Sequence, residues 1–348
     1  MKYSVDTNYM LKVLRELIET PSPVGYYVKI LPIIEKYAEE LGVKLTYDNR
    51  RTPYFILDGE NNDKTVYVCS HLDTLGLVVK KVEGNGWLAL RSLGGLNFAS
   101  IEGENVVVHT RDGKEYGGVV MCRSHSVHVF DDCKSRERNE NSLVIMLDEN
   151  VKSADEVKAL GISTGDVISI VPRFQVTPSG FVKSRFIDDK GGVAACLAAI
   201  KYLKDNGMKP KYRTVFGFTF YEEIGLGGCY IPPEADEMVA VDIGLIGPDY
   251  DGNEFKVSIC QKDGSTFYNY ELTTLLVNTA KAVGADYALD LYYRYGTDGG
   301  AALRAGNNIK CATFGMAVYA SHGVERTHID GLNNTAALTL GYILGDAR

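Results

Sequence analysis

No stretch of the 348-residue sequence is apolar for long enough to cross a membrane. The longest nearly apolar run, residues 193–200, falls far short of the ~18 residues a helical span needs. No basic segment followed by an apolar one opens the chain, so no secretory signal is expected. Cysteines at C-x-x-C spacing are absent, which excludes a zinc ribbon and a redox dithiol. The seven scattered cysteines suit a reducing cytoplasm, where a thiol serves as a small buried hydrophobe. Positive charge is in deficit, with 37 Lys and Arg against 45 Asp and Glu. The resulting net charge of −8 argues against a general nucleic-acid binder. Neither a membrane nor a nucleic acid is therefore expected as a partner, and the location expected is cytoplasmic. Histidine is scarce too, at six residues.

What is present is ordinary for a globular protein: 45% hydrophobic and 24% charged residues, in a chain long enough for about two domains. Leu11, Leu14, Leu17 and Ile18 repeat at helical spacing, and Thr20-Pro21-Ser22-Pro23 ends that helix. A second helix is predicted over residues 24–41, closed by Gly42. Strands are predicted at 43–47, 54–57 and 65–69. From 75 to about 175 the texture changes to short β-like runs between glycine turns, with one helix at 153–160 and a charged loop at 131–141. Helices then alternate with apolar strands again. Helices are expected at 189–204, 273–283, 299–304 and 334–344, and strands at 212–220, 238–241 and 311–316. The pattern predicts one α/β domain, residues 1–74 and 176–348, interrupted by a small β-rich inserted domain at 75–175.

Side chains able to do chemistry gather where apolar strands end, the edge at which open α/β sheets bind ligands. His71 follows the strand at 65–69. Asp73, two residues on, can accept the other ring N–H and so fix the tautomer. Asp188 and Asp189 open a helix, where an N-cap role would suffice for Asp189. Glu222 and Glu223 follow another apolar strand and precede a glycine-rich turn. A buried pair of this kind needs a cation. Asp242 ends a further strand. Two of the six histidines, His322 and His328, lie near the C-terminus, while His109, His125 and His128 read as structural or surface residues. Carboxylates and imidazoles emerging from successive strand ends suit a two-metal hydrolase, with Zn²⁺, Co²⁺ or Mn²⁺ as the ion.

These motifs resemble the co-catalytic metallo-aminopeptidases of the TET, deblocking and glutamyl type, some of which carry a cellulase label. His71-Leu72-Asp73, Asp188-Asp189-Lys190-Gly191, Glu222-Glu223-Ile224-Gly225, Asp242, Gly296-Thr297-Asp298 and the last histidine segment follow the family's order over nearly the whole chain. The resemblance implies a mixed central sheet flanked by helices, of the zinc-aminopeptidase type. It also implies two divalent ions, zinc first among them, and peptide substrates shortened from the N-terminus. By its roles Asp188 bridges the ions, His71 and Asp242 complete one site, and Glu223 and His322 the other. Glu222 is the general base, and Asp73 orients His71. Between the late histidines, His322 has the better place in the motif, and His328 reads as the start of the last helix. The insert is implied to form dimers that build a hollow dodecamer.

The chain departs from the family pattern at Thr74, at Lys190 in place of arginine, and in the spacing around His322. His-x-Asp-Thr also resembles a related di-zinc carboxypeptidase and deacylase group. Asp188 lies 117 positions after His71, however, with the insert between them, and that is the TET order. A glycosidase using Glu222 and Asp242 is the weaker reading, because adjacent glutamates flank a glycosidic bond poorly and the histidines are left without a role. Arg294 and Lys262 are the cations available should the substrate be acidic, although surface salt bridges are the expectation for both.

Overall fold

The computed structural model describes all 348 residues. The chain enters through α1 (Thr7–Glu19) and α2 (Leu31–Glu40). Helix α2 is shorter than its sequence pattern because Gly25 takes a positive φ of 76° and Pro32 sits in the first turn, so residues 24–30 form turns. Strands β1 (Lys44–Tyr47), β2 (Pro53–Leu57) and β3 (Asn61–His71) follow.

The next six strands are β4 (Gly76–Val82), β5 (Leu88–Leu93), β6 (Asn105–His109), β7 (Glu115–Cys122), β8 (Leu143–Leu147) and β9 (Val167–Ile170). They close into a barrel of order β4-β5-β8-β7-β6-β9. Closure leaves no free edge, and the barrel has its own core, including Leu77, Leu90, Val108 and Ile168. The short helix α3 (Ala154–Ala159), capped by Ser153, packs on it. Arg185 is buried between the barrel and the rest of the chain, where it donates to Glu104 and to the Ser100 carbonyl.

After β10 (Gln175–Val176) and β11 (Phe181–Ser184), helix α4 (Ile187–Asp205) runs through the interior, buried on nearly every side from residue 187 to 200. Its alanines and glycines allow that close packing against α1 and the sheet. The remaining elements are β12 (Tyr212–Thr219), β13 (Glu237–Val241), β14 (Gly244–Leu245), β15 (Val257–Lys262), α5 (Tyr270–Val283), β16 (Tyr287–Leu291), α6 (Asp298–Arg304), β17 (Lys310–Val318), β18 (Glu325–His328) and α7 (Ile329–Leu344).

The main sheet is mixed, with nine strands in the order β1-β2-β12-β3-β13-β17-β15-β16 and β14 appended to β17. Its four middle strands, β12, β3, β13 and β17, run parallel. They are apolar on both faces, and alternate residues feed two cores. Val66 and Val68 join the core under α1, α4 and α7, while Tyr67 and Cys69 join a second core on the opposite face with Ala302 of α6. The fold is thus an α/β sheet flanked by helices, with a β-rich insertion between β3 and α4.

Candidate metal centre

Because β12, β3 and β13 are neighbouring parallel strands, their C-terminal ends share one edge of the sheet. That places His71 at the end of β3, opposite Thr219 of β12, with Glu222 and Glu223 just beyond β12 and Asp242 just beyond β13. Asp188 enters from the start of α4. There the backbone of Asp188 and Asp189 is not helical, and neither residue acts as an N-cap.

Asp188 lies between two imidazoles. Its Oδ1 is 3.1 Å from His71 Nε2, and its Oδ2 is 3.7 Å from His322 Nε2. His322 Nε2 is also 3.6 Å from Glu223 Oε2, and His71 Nε2 is 3.7 Å from Glu222 Oε2. Ligand atoms of His71, Asp188 and Glu223 all lie within 4.8 Å of one another, as do those of His71, Asp189 and Asp242. His328 is elsewhere. It caps α7 by accepting the Asp330 N–H, bonds the Ser179 carbonyl, and packs against Phe181 and Phe255. His109 is held in the barrel by Glu115 and Ser169.

Two expectations need correction. The ring partner of His71 is the backbone carbonyl of Asp73, 2.9 Å from Nδ1, while the carboxylate is 3.6 Å away and too far for a hydrogen bond. The carboxylate is instead turned toward the Glu222-Glu223 turn. Its Oδ1 accepts the Glu222 N–H at 3.1 Å and its Oδ2 the Glu223 N–H at 3.2 Å. Asp189, read as a helix cap, is fully buried beneath His71. It accepts from the Ser70 hydroxyl and, at 3.2 Å, from the His71 N–H, and its Oδ1 has no partner.

Three further residues shape the site. Glu325 accepts the Asp188 N–H at 3.0 Å and the His322 N–H at 3.3 Å. Asp298, of the Gly-Thr-Asp motif, accepts from the Thr219 hydroxyl and lies beneath the turn after the glutamates. A Cβ on Gly228 would come within 2.0 Å of the Asp298 carbonyl oxygen, which is why that turn is glycine-rich. On the barrel side, the Gly95 carbonyl is 2.7 Å from His322 Nδ1, so the insertion reaches the centre. Glu325 enters the sequence reading only through its spacing from His322, one shorter than in the resembled family, and Gly95 has no such signal; the fold gives both their place.

The electrostatics fit a cation. Burial pushes the Glu222 and Glu223 carboxyls well above their ordinary range, and burial with Asp188 nearby raises Asp242 to about 7. Burial opposes charge on Asp188 and on His71. Their mutual hydrogen bond outweighs it, lowering the Asp188 pKa and raising that of His71. Lys190, which follows Asp188 and Asp189, does not supply the missing positive charge. Its ammonium is turned away to the carbonyls of Leu17 and Thr20, and burial pushes it down to about 7. The donors are carboxylates and imidazoles without sulfur, and two buried carboxylate oxygens, Asp189 Oδ1 and Asp298 Oδ1, are orphaned, so these residues suit divalent metal ions.

Asp188, Glu222, Glu223, Asp242 and His322 face a cavity of about 510 Å³ whose outer wall carries Arg294 and Arg304. Neither arginine pairs with a carboxylate of the chain, contrary to the salt bridge expected for Arg294. Lys262 is not on this wall, and its ammonium bonds the Asp263 carbonyl.

Comparison with known proteins agrees with this geometry. Residues 54–338 match the family described as M42 glutamyl aminopeptidase. YhfE of Bacillus subtilis, which bears an aminopeptidase name, is 38% identical over 334 residues, covering 96% of each chain. The crystal structure of a TET aminopeptidase from a marine-sediment Thaumarchaeota archaeon superposes with a TM-score of 0.87 at 21% identity, covering 97% of this chain and 98% of the other. The TET1 peptidase of Pyrococcus horikoshii, which can assemble into a tetrahedron or a large octahedral shell, gives a TM-score of 0.84 at 22% identity over 96% and 99%. With the strand-end carboxylates and histidines in family order and the match spanning most of its length, this chain belongs to the M42 glutamyl aminopeptidase family, a family of peptide hydrolases.

Proposed function

We propose that the chain is a metal-dependent aminopeptidase that removes N-terminal residues from short peptides. The observation that carries this reading is Asp188, whose two oxygens face His71 and His322 on opposite sides. His71, Asp188 and Asp242 would hold one divalent ion, and Asp188, Glu223 and His322 the other. Zinc suits a set of nitrogen and oxygen ligands, and cobalt or manganese share it. When bound, such ions supply Lewis acidity toward the scissile carbonyl and the attacking water.

Glu222 is the proton carrier. Its carboxylate takes a proton from water as the new C–O bond forms, and returns it to the amine nitrogen as the C–N bond breaks. Its burial, which favours the protonated form, suits a group that must hold a proton between two steps. Asp73 fixes Glu222 through the backbone and His71 through its own carbonyl. Metal analysis and chelation test the reading on a panel of aminoacyl-anilides. About two divalent ions per chain, loss of activity on chelation and its return on adding metal are expected. Full activity in a metal-free protein overturns it.

The unpaired cations Arg294 and Arg304 support an acidic preference at this pocket, in keeping with the glutamyl description of the family. Losing a charge-assisted contact costs about 1.5–3 kcal/mol. Arg294→Ala or Arg304→Ala is therefore expected to lower kcat/KM for a glutamyl-anilide by roughly tenfold to a hundredfold relative to a leucyl-anilide. An unchanged ratio in both variants excludes the acidic pocket.

The same proposal assigns residues 1–74 and 176–348 to catalysis, and the insertion at 75–175 to self-association and substrate access, as a dimer or a dodecamer. The shell-forming Pyrococcus relative supports it. A monomer in light scattering on the intact chain would count against it. A cytoplasmic location belongs to this reading too, supported by seven free thiols.

A further inference from the structure

We propose that Glu325 is a positioning residue of this centre, a carboxylate clamp on the backbone that sets His322 against Asp188. The inference rests on the two-metal reading above and adds to it a residue that binds no ion.

Glu325 begins β18, which pairs antiparallel with β11, and Ser184 is its partner in register. That strand leads directly into Asp188, so Glu325 sits where the two ligand-bearing segments meet. Its side chain is buried, with 2% of the residue exposed. One carboxylate oxygen takes the N–H of Asp188 at 3.0 Å, and the other takes the N–H of His322 at 3.3 Å. Both bonds end on the main chain of a ligand, and each comes from a segment remote in sequence from the other.

The loop being held is strained. Ala320 and His322 have φ of 55° and 64°, in the left-handed region that residues with a Cβ avoid. Such a conformation persists only where its surroundings over-determine it. Two bonds fix His322 here: the Glu325 carboxylate on its backbone N–H, and the Gly95 carbonyl on Nδ1. The first sets the backbone, and the second sets the ring so that Nε2 faces Asp188 and Glu223.

The two amides fall on two different oxygens of the side chain, which sets the residue type. A glutamine has one acceptor oxygen, and its NH₂ would meet the second N–H. Only a carboxylate accepts both amides at once.

The test uses the full chain as Glu325→Gln and Glu325→Asp, in case either variant folds poorly. Zn²⁺ is titrated into metal-free protein by calorimetry, and amide hydrogen exchange is followed over residues 319–325 before zinc is added. The expected result for Glu325→Gln is about tenfold to a hundredfold weaker binding of the zinc ion at His322, the range seen when a partner of a metal ligand is removed, with a smaller loss at the other ion, which shares only Asp188 with the clamp. Exchange at 319–325 should rise without a general loss of protection, and excess zinc should restore part of the activity. Unaltered exchange and unaltered zinc binding would overturn the proposal. So would equal weakening of both ions together with global unfolding in both variants, since that marks a residue needed only for folding. The exchange measurement is made without metal. A wild-type chain that took up no zinc would end the two-metal reading, while the exchange data would still decide whether the clamp exists.

Discussion

Replacing Glu222 with glutamine is expected to lower kcat by about 10²–10⁴-fold while metal content stays at the wild-type level. The substitution keeps the shape of the side chain. It also keeps the Glu222 N–H on Asp73, because that bond belongs to the backbone. What it removes is the ability to accept a proton from water and pass it on. Glu223→Gln should behave differently. The Glu223 carboxylate lies 3.6 Å from His322 Nε2, within the set of Asp188, Glu223 and His322 proposed for one ion, so its loss should cost that ion. Kinetics and metal analysis on the two variants separate the roles. If Glu222→Gln loses metal and Glu223→Gln keeps it, the assignments of base and ligand are reversed.

How much of this could be read in the sequence depended on how local the cause was. His71, Asp188, Glu223 and Asp242 were legible because each follows a continuous apolar strand or opens an Ala- and Gly-rich helix, and a parallel sheet collects those ends by topology alone. The preference for His322 over His328 came from motif order, and His328 proved to be the cap of α7. The start of α2 was misplaced because helical periodicity runs on through Gly25, whose positive φ is imposed by a turn. Strands β15 and β16 are not among the strands expected from the sequence; β15 pairs with β17, and β16 pairs with β15 at the sheet edge.

The partners of the candidate ligands were least legible. Asp73 lies two residues from His71, and the sequence favours a side-chain contact between them. In the folded chain its carboxylate is drawn to two backbone N–H groups of a turn about 150 residues away. Asp189 is an N-cap by sequence and a buried partner of Ser70 and His71 by structure. Glu325 holds the backbone N–H groups of Asp188 and His322, and Gly95 meets the His322 ring through its own carbonyl; contacts of this kind involve the main chain and carry no signal in residue type.

Asp188→Asn is expected to remove both ions, where Asp242→Asn or Glu223→Gln removes one. Asparagine keeps the shape and one acceptor oxygen but loses the charge, and its NH₂ would face one of the two imidazoles. Asp188 turns one oxygen toward His71 and the other toward His322, so its loss reaches both ions. Activity should fall by more than the ~10²–10⁴-fold expected for loss of the proton carrier, since both the metal chemistry and its placement go together. A second readout follows without metal. The Asp188 carboxyl is held below its ordinary range, against burial, by the hydrogen bond and charge of His71. A carboxylate with a depressed pKa contributes stability above its unfolded value, near 3.8, and that contribution is lost as pH falls through the folded value. Metal-free Asp188→Asn should therefore unfold at a lower temperature than metal-free wild type at pH 7, and the gap should close in strong acid. Metal analysis and thermal unfolding at several pH values read both effects. A variant that keeps one ion at wild-type affinity would show that Asp188 serves a single site, and the shared-carboxylate arrangement would fall.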